Sequence, residues 1–398
     1  MPRVPRVLLV GAEDEENLAL RYLAAVLQQQ DARVEILPFA RPEDAPPVLQ
    51  AVQRRPPDLI GLSLAFQCLA HAYFGLVAGI RRRGYRGHIT VGGHFPTFEY
   101  QRILETQPGI DSVGRFEGER TITALARAVT DGGDLAAVPN LVYRAAGSRR
   151  ENPCTPEFGD LDALPFPLRR RRPHVRLGER FATLVTSRGC WHSSCLYCCI
   201  GAFHRDKPQP FALREATGVA RELAWLYRRQ GVRLFQFHDD NFVLATPAAT
   251  LARLRALRVA IAAEGLDLRT LALLIKARPD AVDDAVAREL AELGAVGVFL
   301  GIENASPSGL RALIRGTRLE DVHTALAALQ ARGLVATYNL LIFHPHATFA
   351  ELDANLEFVR GHLTLPFDFG RAEIVAGSPL ERLVVHEQRR RGEWPEWD

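Results

Sequence analysis

The amino-acid sequence predicts an α/β protein with two parts, a doubly wound N-terminal domain and a partial parallel barrel of six β-then-α units. Short apolar runs alternate with longer segments of helical periodicity along most of the 398 residues. A proline-rich stretch divides this alternation into two series. In the second series, polar and charged residues recur directly after the strands, which is typical of the active-site end of a barrel.

The first series runs from residue 6 to about residue 130 and predicts a five-stranded domain, which we place at residues 1–135. Helical segments such as EENLALRYLAAVLQQQ separate the strands, as in βαβ units around a parallel sheet. A ligand of such a domain would lie at the carboxyl ends of the strands. The predicted strands are residues 7–10, 33–37, 58–66, 88–93 and 110–115.

A linker at residues 136–178 follows, with a short hairpin and then an extended, proline-rich connector. Its RRRRP run is expected to be a solvated basic turn. The second series predicts a barrel at residues 179–385 and leaves a C-terminal tail at 386–398. Its six predicted strands are residues 181–187, 233–240, 269–277, 296–303, 335–343 and 367–375.

The composition is that of an ordinary globular protein, with 47% hydrophobic and 24% charged residues and a net charge of +3. Basic residues are scattered rather than gathered into a stripe, which argues against a nucleic-acid partner. No apolar run approaches the roughly 20 residues needed to cross a bilayer, and the N-terminus lacks a signal-peptide core. We therefore expect a cytoplasmic protein without a membrane partner.

Four of the six cysteines lie within GCWHSSCLYCCIGAFHR, directly after the first barrel strand. Inert thiols are disfavoured because the intervening residues do not form a core pattern. A zinc site could use Cys190, Cys195 and Cys198 with His192 or His204. A redox pair of Cys195 and Cys198 would leave Cys190 unexplained. Three thiolates on one loop also suit an iron-sulfur cluster with one open iron.

The sequence resembles the radical S-adenosylmethionine (SAM) enzymes that carry an N-terminal cobalamin-binding domain. The resemblance rests on SRGC, CLYCCIGAFHR, HDDNF, IKARPD, LGIENAS and NLLIFHP, and on VGGHFPTF and GRFEGE in the first part. It implies a Rossmann-like cobalamin domain followed by a TIM-like radical SAM barrel. It also implies three cofactors, namely a [4Fe-4S] cluster, SAM and cobalamin.

The cysteine spacing departs from the family pattern Cys-x3-Cys-x2-Cys. Cys190, Cys195 and Cys198 are spaced Cys-x4-Cys-x2-Cys, with one extra residue in the first gap. Tyr197 supports this register, because the family places an aromatic residue just before its third cysteine. Cys199 is then a non-ligand, although a register that uses Cys195 and Cys199 remains open.

The resemblance also assigns SAM-binding residues at the strand ends, with Tyr197 among them. Asp239, Asp240 and Asn241 fall where the family holds the methionine amino group, although any one of them could instead cap the next helix. Arg278 could pair with the SAM carboxylate through its two-pronged geometry. Glu303 could accept a hydrogen bond from a ribose hydroxyl.

In the first domain, Ser63, Gly92, Gly93 and His94 are the expected cobalamin contacts, because glycines allow a nucleotide tail to approach the backbone. The loop GAEDEEN after the first strand has no histidine that could ligate cobalt from below. This absence fits the family branch, and it also fits a degenerate domain that binds nothing.

Three further expectations concern other histidines and cysteines and the end of the chain. His344 and His346 either face substrate or are simply exposed. Cys68 and Cys154 are expected to be partly buried without a role. The stretch after the sixth strand could leave part of the substrate site to a protein partner.

The resemblance implies reductive cleavage of SAM to a 5'-deoxyadenosyl radical, with electrons from a donor such as flavodoxin or ferredoxin. The expected outcome is methylation of an unactivated carbon of a small molecule or natural product. A non-methylating rearrangement or cyclisation is an alternative within the superfamily. A noncatalytic zinc- or cluster-binding regulator is the alternative from another class of protein.

Overall fold

The computed structural model describes residues 3–145, 147–154, 160–204 and 211–391. The chain divides into two compact units at Arg170. The first unit is built on a seven-stranded sheet of order β2-β1-β3-β4-β5-β6-β7, in which β1 to β5 are parallel. The strands are β1 Arg6–Gly11, β2 Arg33–Pro38, β3 Leu59–Ser63, β4 His88–Gly92, β5 Ser112–Gly114, β6 Leu141–Ala145 and β7 Ser148–Glu151.

Helices cover both faces of this sheet, which explains why β1 is apolar at consecutive positions. Leu8 and Val10 pack in one core, whereas Val7 and Leu9 pack in the other. A strand buried on both faces loses the alternation of a half-exposed strand. The helices are α1 Leu18–Gln28, α2 Ala45–Arg54, α3 Ala70–Arg82, α4 His94–Thr106 and α5 Glu119–Asp131.

The strand register aligns four small residues at the carboxyl ends of neighbouring strands. Gly11 of β1 pairs with Ser63 of β3, Ser63 with Gly92 of β4, and Gly92 with Gly114 of β5. The boundary between β1 and β3 is the point where the strand order reverses, and α/β sheets bind ligands there. The five predicted parallel strands are therefore present, and their ends form a row with little side-chain volume.

The predicted linker is more closely packed than the sequence suggests. Its hairpin adds β6 and β7 as antiparallel strands to the first sheet. The expectation of a solvated RRRRP turn is wrong for Arg169, whose side chain is 2% exposed and donates to Glu16 at 2.6 Å. Because the Glu16 carboxylate is buried, a cationic partner stabilises it where water cannot. The backbone N–H of Arg170 also donates to this carboxylate. Residues 155–159 lie outside the described part of the chain.

The second unit contains a curled half-barrel sheet of order β16-β15-β14-β13-β12-β9-β8. Six of its strands are parallel, and β8 pairs antiparallel at one edge. The strands are β8 His174–Arg176, β9 Glu179–Leu184, β12 Leu234–Phe237, β13 Ala272–Ala277, β14 Ala295–Glu303, β15 Val335–Phe343 and β16 Phe367–Arg371. A separate two-stranded sheet pairs β10 Ser187–Gly189 with β11 Phe211–Leu213.

Helices of this unit pack against the sheet around one large apolar core that includes Leu184, Phe235, Leu273 and Leu300. The helices are α6 Ile200–Phe203, α7 Ala216–Gln230, α8 Pro247–Ala263, α9 Asp284–Leu293, α10 Pro307–Ala312, α11 Leu319–Ala331, α12 Phe349–Gly361 and α13 Pro379–Arg391. Helix α13 includes residues 386–391, which the sequence analysis placed in a tail, and residues 392–398 lie outside the described part.

The end of β14 contains one residue more than the facing part of β15. Leu300 pairs with Tyr338 and Glu303 with Leu340, so that three steps on β14 match two on β15. Glu303 adopts a left-handed backbone conformation with φ of 70° at this irregularity. No helix in the described part of the chain is long and apolar enough to span a membrane.

Candidate active site

The cysteine loop begins directly after β10, and the pairing of β10 with β11 closes the base of the segment between them. Gly189, which pairs with Phe211, precedes Cys190 and has a φ of 83° that favours glycine. Every cysteine in the chain is a free thiol. Cys68 is exposed rather than partly buried, and Cys154 is half-buried. Residues 205–210 lie outside the described part.

Asp239 fixes the segment that leads into this loop. Its fully buried carboxylate accepts hydrogen bonds from the hydroxyl and backbone N–H of Thr186, at 2.5 and 2.6 Å, and from the Ser187 N–H at 3.0 Å. Burial raises the pKa of Asp239 to about 6, against the effect of these hydrogen bonds. The contacts place Asp239 as a support of the cysteine loop.

Asp240 lies next to the loop and is exposed. Its Oδ2 accepts the Gly189 N–H at 3.1 Å. Its negative charge also acts on the thiols of Cys190, Cys198 and Cys199. The predicted residue Asp240 is therefore brought to the cysteines, whereas its neighbour Asp239 is buried beneath the loop.

Backbone contacts attach the middle of the loop to two other elements. The N–H of Leu196 donates to the carbonyl of Leu313 at 3.0 Å, and the carbonyl of Leu196 accepts from the N–H of Leu380 at 2.8 Å. The indole of Trp191 donates to the carbonyl of Val243 at 3.0 Å. The loop is thus held by residues that follow β12 and α10 and by the start of α13.

Gly201 in α6 lies against the backbone of the same loop. A Cβ atom at Gly201 would lie 1.8 Å from the carbonyl oxygen of Ser193. No side chain can occupy that space unless the backbone moves. Glycine is therefore required where α6 folds back over the residues between the first two cysteines.

The four thiols of the loop differ in the hydrogen bonds that they accept. Cys190 accepts a hydrogen bond from the backbone of His192, and Cys198 accepts one from the backbone of Ile200. Within the described part of the chain, the thiol of Cys199 accepts a hydrogen bond from its own backbone alone. Burial raises the pKa of Cys190 and of Cys199 to about 11, and it raises the pKa of Cys198 further.

Cys195 differs from the other thiols because a cationic side chain contacts it. The Nη1 atom of Arg315 lies 3.5 Å from the Sγ atom of Cys195. Burial opposes ionisation of this thiol, but the His192 side chain and Arg315 together lower its pKa to about 7. The sequence does not indicate this contact, since nothing in RALIRGTR marks Arg315 as a neighbour of the cysteines.

Tyr197 and Glu303, both predicted to bind SAM, contact each other. The Tyr197 hydroxyl donates to the Glu303 carboxylate, which also accepts the Asn339 amide at 2.7 Å. Burial raises the pKa of Glu303, while the positive charge of Arg315 opposes this shift. The end of β14 is thereby joined to the cysteine loop and to β15.

Asn241 is 2% exposed, and neither its amide nitrogen nor its amide oxygen has a hydrogen-bond partner among the described residues. A buried amide without partners costs stability, on the order of 1–3 kcal/mol. Such a group in a protein interior is a candidate for a ligand contact.

Arg278 is largely engaged by other residues. Its Nε and Nη2 atoms donate to Asp280, at 3.0 and 2.8 Å, and Nη2 also donates to the carbonyl of Arg315 and the hydroxyl of Thr317. The guanidinium lies 5.0 Å from the centre of the Trp191 ring. Its Nη1 atom is buried without a partner in the described part of the chain.

The two histidines after β15 differ in exposure. His346 is exposed, but the side chain of His344 is 1% exposed and lies 3.2 Å from the Glu351 carboxylate. The expectation of simple exposure is therefore wrong for His344, whose neighbour Glu351 belongs to α12.

In the first unit, the predicted residues lie at the carboxyl edge of the sheet. Ser63 ends β3, Gly92 ends β4 and His94 begins α4. Gly93 has a φ of 123°, and a Cβ atom there would lie 2.5 Å from the carbonyl oxygen of Leu64. Glycine is therefore required at residue 93.

The loop after β1 carries four acids, of which Glu13 and Glu16 are held in ion pairs. Glu13 pairs with Arg21 and Glu16 with Arg169, all with buried side chains. In the described residues, no group of three or more His, Cys, Asp or Glu side chains is arranged to hold a single metal ion.

Comparison with known families identifies both units. The model of the B12 binding domain matches residues 6–126, and that of the radical SAM superfamily matches residues 184–359. The uncharacterized methyltransferase PH0819 of Pyrococcus horikoshii is 27% identical over 376 residues, which cover 92% of this chain and 77% of that protein. The anaerobic magnesium-protoporphyrin IX monomethyl ester cyclase of Synechocystis sp. is 30% identical over 257 residues, which are 62% of this chain and 48% of that protein.

Two solved structures share the fold along nearly the whole chain. The methyltransferase TsrM from Kitasatospora setae, with cobalamin and a [4Fe-4S] cluster bound, has a TM-score of 0.76 at 20% identity and covers 97% of this chain and 75% of its own. OxsB with aqua-cobalamin and SAM bound has a TM-score of 0.76 at 20% identity, with 98% of this chain and 62% of its own covered.

The fold and the thiol loop define a two-domain α/β protein in which a B12-binding sheet precedes a half-barrel with a cysteine loop after its first parallel strand. The chain belongs to the radical SAM enzymes that carry a B12-binding domain.

Proposed function

We propose that this enzyme uses cobalamin, a [4Fe-4S] cluster and SAM to methylate an unactivated carbon of a small molecule. The observation that carries the proposal is the cysteine loop after β10, which lies at the same end of the half-barrel as the unpartnered Asn241 amide and the buried Glu303 carboxylate. The methyltransferase among its relatives supports the methyl-transfer outcome.

Cys190, Cys195 and Cys198 are the proposed cluster ligands. Each of these thiols accepts a hydrogen bond from another residue, whereas among the described residues Cys199 accepts from its own backbone alone. Hydrogen bonds to the ligating sulfurs help to set the reduction potential of an iron-sulfur cluster. The chemistry of the donors fits an iron-sulfur cluster, because soft thiolates select it over hard cations.

The proposed SAM contacts divide into two sets. Asn241 and the exposed carboxylate of Asp240 would hold the methionine amino group, with Asp239 supporting the loop beneath. Glu303, oriented by Tyr197, would accept from the ribose. The Nη1 atom of Arg278 would donate to the SAM carboxylate, as a single contact rather than the two-pronged pair expected from the sequence.

The cobalamin contacts proposed here are Ser63, Gly92, Gly93 and His94. The small residues at the carboxyl edge of the first sheet leave the backbone open to a bulky ligand. Pairing of Glu13 and Glu16 with arginines keeps these acids away from a ligand at the same edge.

The bound cofactors would supply the electron that cleaves SAM and the methyl group that is transferred. The chain's own residues hold the cysteine loop, orient the SAM contacts and keep the Glu303 carboxylate away from water. A one-electron donor such as flavodoxin or ferredoxin and a cytoplasmic location belong to the same proposal.

A cyclisation or rearrangement is a second candidate, favoured by the 30% identity to the anaerobic cyclase, of which this chain spans 48%. A zinc-binding regulator would use the same thiols without redox chemistry.

Anaerobic reconstitution separates these functions. The methyltransferase proposal predicts about four irons and four sulfides per chain, uptake of cobalamin, and SAM cleavage on reduction with dithionite. A screen of small-molecule acceptors with methyl-deuterated SAM should then yield products three mass units heavier than those from unlabelled SAM. Products without the label would favour the cyclase, and one tightly bound zinc with no SAM cleavage would favour the regulator.

A further inference from the structure

Arg315 follows α10 and is buried, with 6% of its surface exposed. Removing a guanidinium from water is costly unless anions or hydrogen-bond acceptors surround it. The groups that contact Arg315 therefore indicate which neighbour its positive charge stabilises.

The polar contacts of Arg315 are to a carbonyl and a thiol. Its Nη2 atom donates to the carbonyl of Gly301 at 2.7 Å, and its Nη1 atom lies 3.5 Å from the Sγ atom of Cys195. Its Nε atom has no partner in the described part of the chain. The carbonyl is neutral, and the other polar contact of the side chain among the described residues is the Sγ atom of Cys195, a proposed cluster ligand.

A second anion lies nearby but does not form an ion pair with Arg315. A Cβ atom placed at Gly301 would lie 2.9 Å from Arg315 Nη2 and 3.0 Å from Glu303 Oε1, which shows that both groups border the same small space. The Glu303 carboxylate accepts from Tyr197 and Asn339 instead.

Backbone hydrogen bonds hold together the two segments that carry Arg315 and Cys195. Leu196, next to Cys195, donates its N–H to the carbonyl of Leu313, two residues before Arg315. The carbonyl of Arg315 itself accepts from the buried Arg278. The guanidinium and the thiol are therefore carried by two segments that are bonded to each other.

We propose that Arg315 is a positioning residue that holds Cys195 in place and makes the bound [4Fe-4S] cluster easier to reduce. This inference rests on the proposed function, because it assumes a cluster at these thiols. Reduction adds one electron, supplied by an external one-electron donor, and so increases the negative charge next to the guanidinium. A positive charge and an N–H donor at a ligand sulfur both favour the reduced form.

The test is a redox titration of the anaerobically reconstituted holoenzyme without SAM, followed by the electron paramagnetic resonance signal of the reduced cluster. Arg315→Gln should lower the equilibrium constant for reduction at least tenfold, which is about 59 mV for one electron. Arg315→Lys retains the charge and should show less than half of this shift. Arg311→Gln removes an exposed arginine of α10 and should leave the potential unchanged.

Native iron content and a native potential in Arg315→Gln would overturn the inference. If Arg315→Gln binds no cluster, iron content and apoprotein melting temperature decide instead. A native melting temperature together with restored iron in Arg315→Lys would support a role at Cys195. A lowered melting temperature, or no iron in either variant, would show a merely structural role. Wild-type protein that binds no cluster would refute the proposed function itself, whatever the variants do.

Discussion

The carbonyl oxygen of Ser193 occupies the space that a Cβ atom of Gly201 would need, at a distance of 1.8 Å. Ser193 belongs to the longer first gap between the cysteines, and Gly201 belongs to α6 after the last one. The gap that is one residue longer than in the family pattern therefore contacts the backbone of a glycine in α6.

Gly201→Ala should displace this loop and reduce the iron bound after anaerobic reconstitution by at least half. The physical reason is a backbone clash that a rotamer change cannot relieve. Gly361→Ala in α12 is the matched control, because nothing lies within 4 Å of a Cβ atom there. Equal iron content in both variants would contradict the expectation.

Alanine substitution of the four clustered cysteines should distinguish the ligands. We expect Cys190→Ala, Cys195→Ala and Cys198→Ala to lose the four-iron stoichiometry, and Cys199→Ala to retain it, because no other described residue donates a hydrogen bond to the Cys199 thiol. Iron and sulfide analysis measures the result. A full cluster in Cys198→Ala and none in Cys199→Ala would show that the register runs through Cys199.

Asn241→Leu should increase the stability of the apoprotein and weaken its binding of SAM. Leucine has nearly the shape of asparagine but no polar atoms, so that replacing the unpartnered amide should raise the unfolding free energy of the apoprotein by about 1 kcal/mol. Thermal unfolding tests this part. Equilibrium dialysis with the reconstituted protein should show SAM affinity at least tenfold weaker, and native affinity would exclude Asn241 from the site.

Asp239 should make stability depend on pH in an unusual direction. Its pKa is raised from 3.8 to about 6 in the folded protein, so that the folded state retains the proton longer than the unfolded chain. The resulting stabilisation is complete below about pH 4 and is lost as pH rises through about 6. A shift of this size corresponds to about 3 kcal/mol.

Asp239→Asn is the comparison for this effect. The amide oxygen can still accept the backbone N–H groups of Thr186 and Ser187, and the variant has no proton to lose. Urea unfolding between pH 4 and 7 should show wild type losing about 2 kcal/mol relative to the variant. Parallel pH profiles would contradict the prediction.

Arg169→Met should destabilise the first unit, because it leaves the buried Glu16 carboxylate without its cation. Breaking a buried pair costs about 3–5 kcal/mol. Urea unfolding is again the measurement. Adding Glu16→Gln should recover most of the loss, whereas a double variant as unstable as the single one would refute the role of the ion pair.

The sequence predicts the inner strand β1 because its apolar run is buried on both faces, as Val7 to Val10 show. It also predicts the cysteine loop, since four thiols in ten positions need no tertiary information. It does not predict Arg315, because this arginine meets Cys195 only through folding over 120 residues of separation. It predicts solvent exposure wrongly for Arg169, because a run of four arginines does not reveal which one pairs with a buried carboxylate.

The irregular register between β14 and β15 has a consequence for Glu303. Side chains alternate between the two faces of a strand, and one extra residue reverses that alternation for everything that follows. The direction of this carboxylate is thus encoded in the length of the strand as well as in the identity of residue 303. Deletion of Gly301 would remove this extra residue, and with it the carbonyl that accepts from Arg315, while leaving every polar side chain of the site in the sequence.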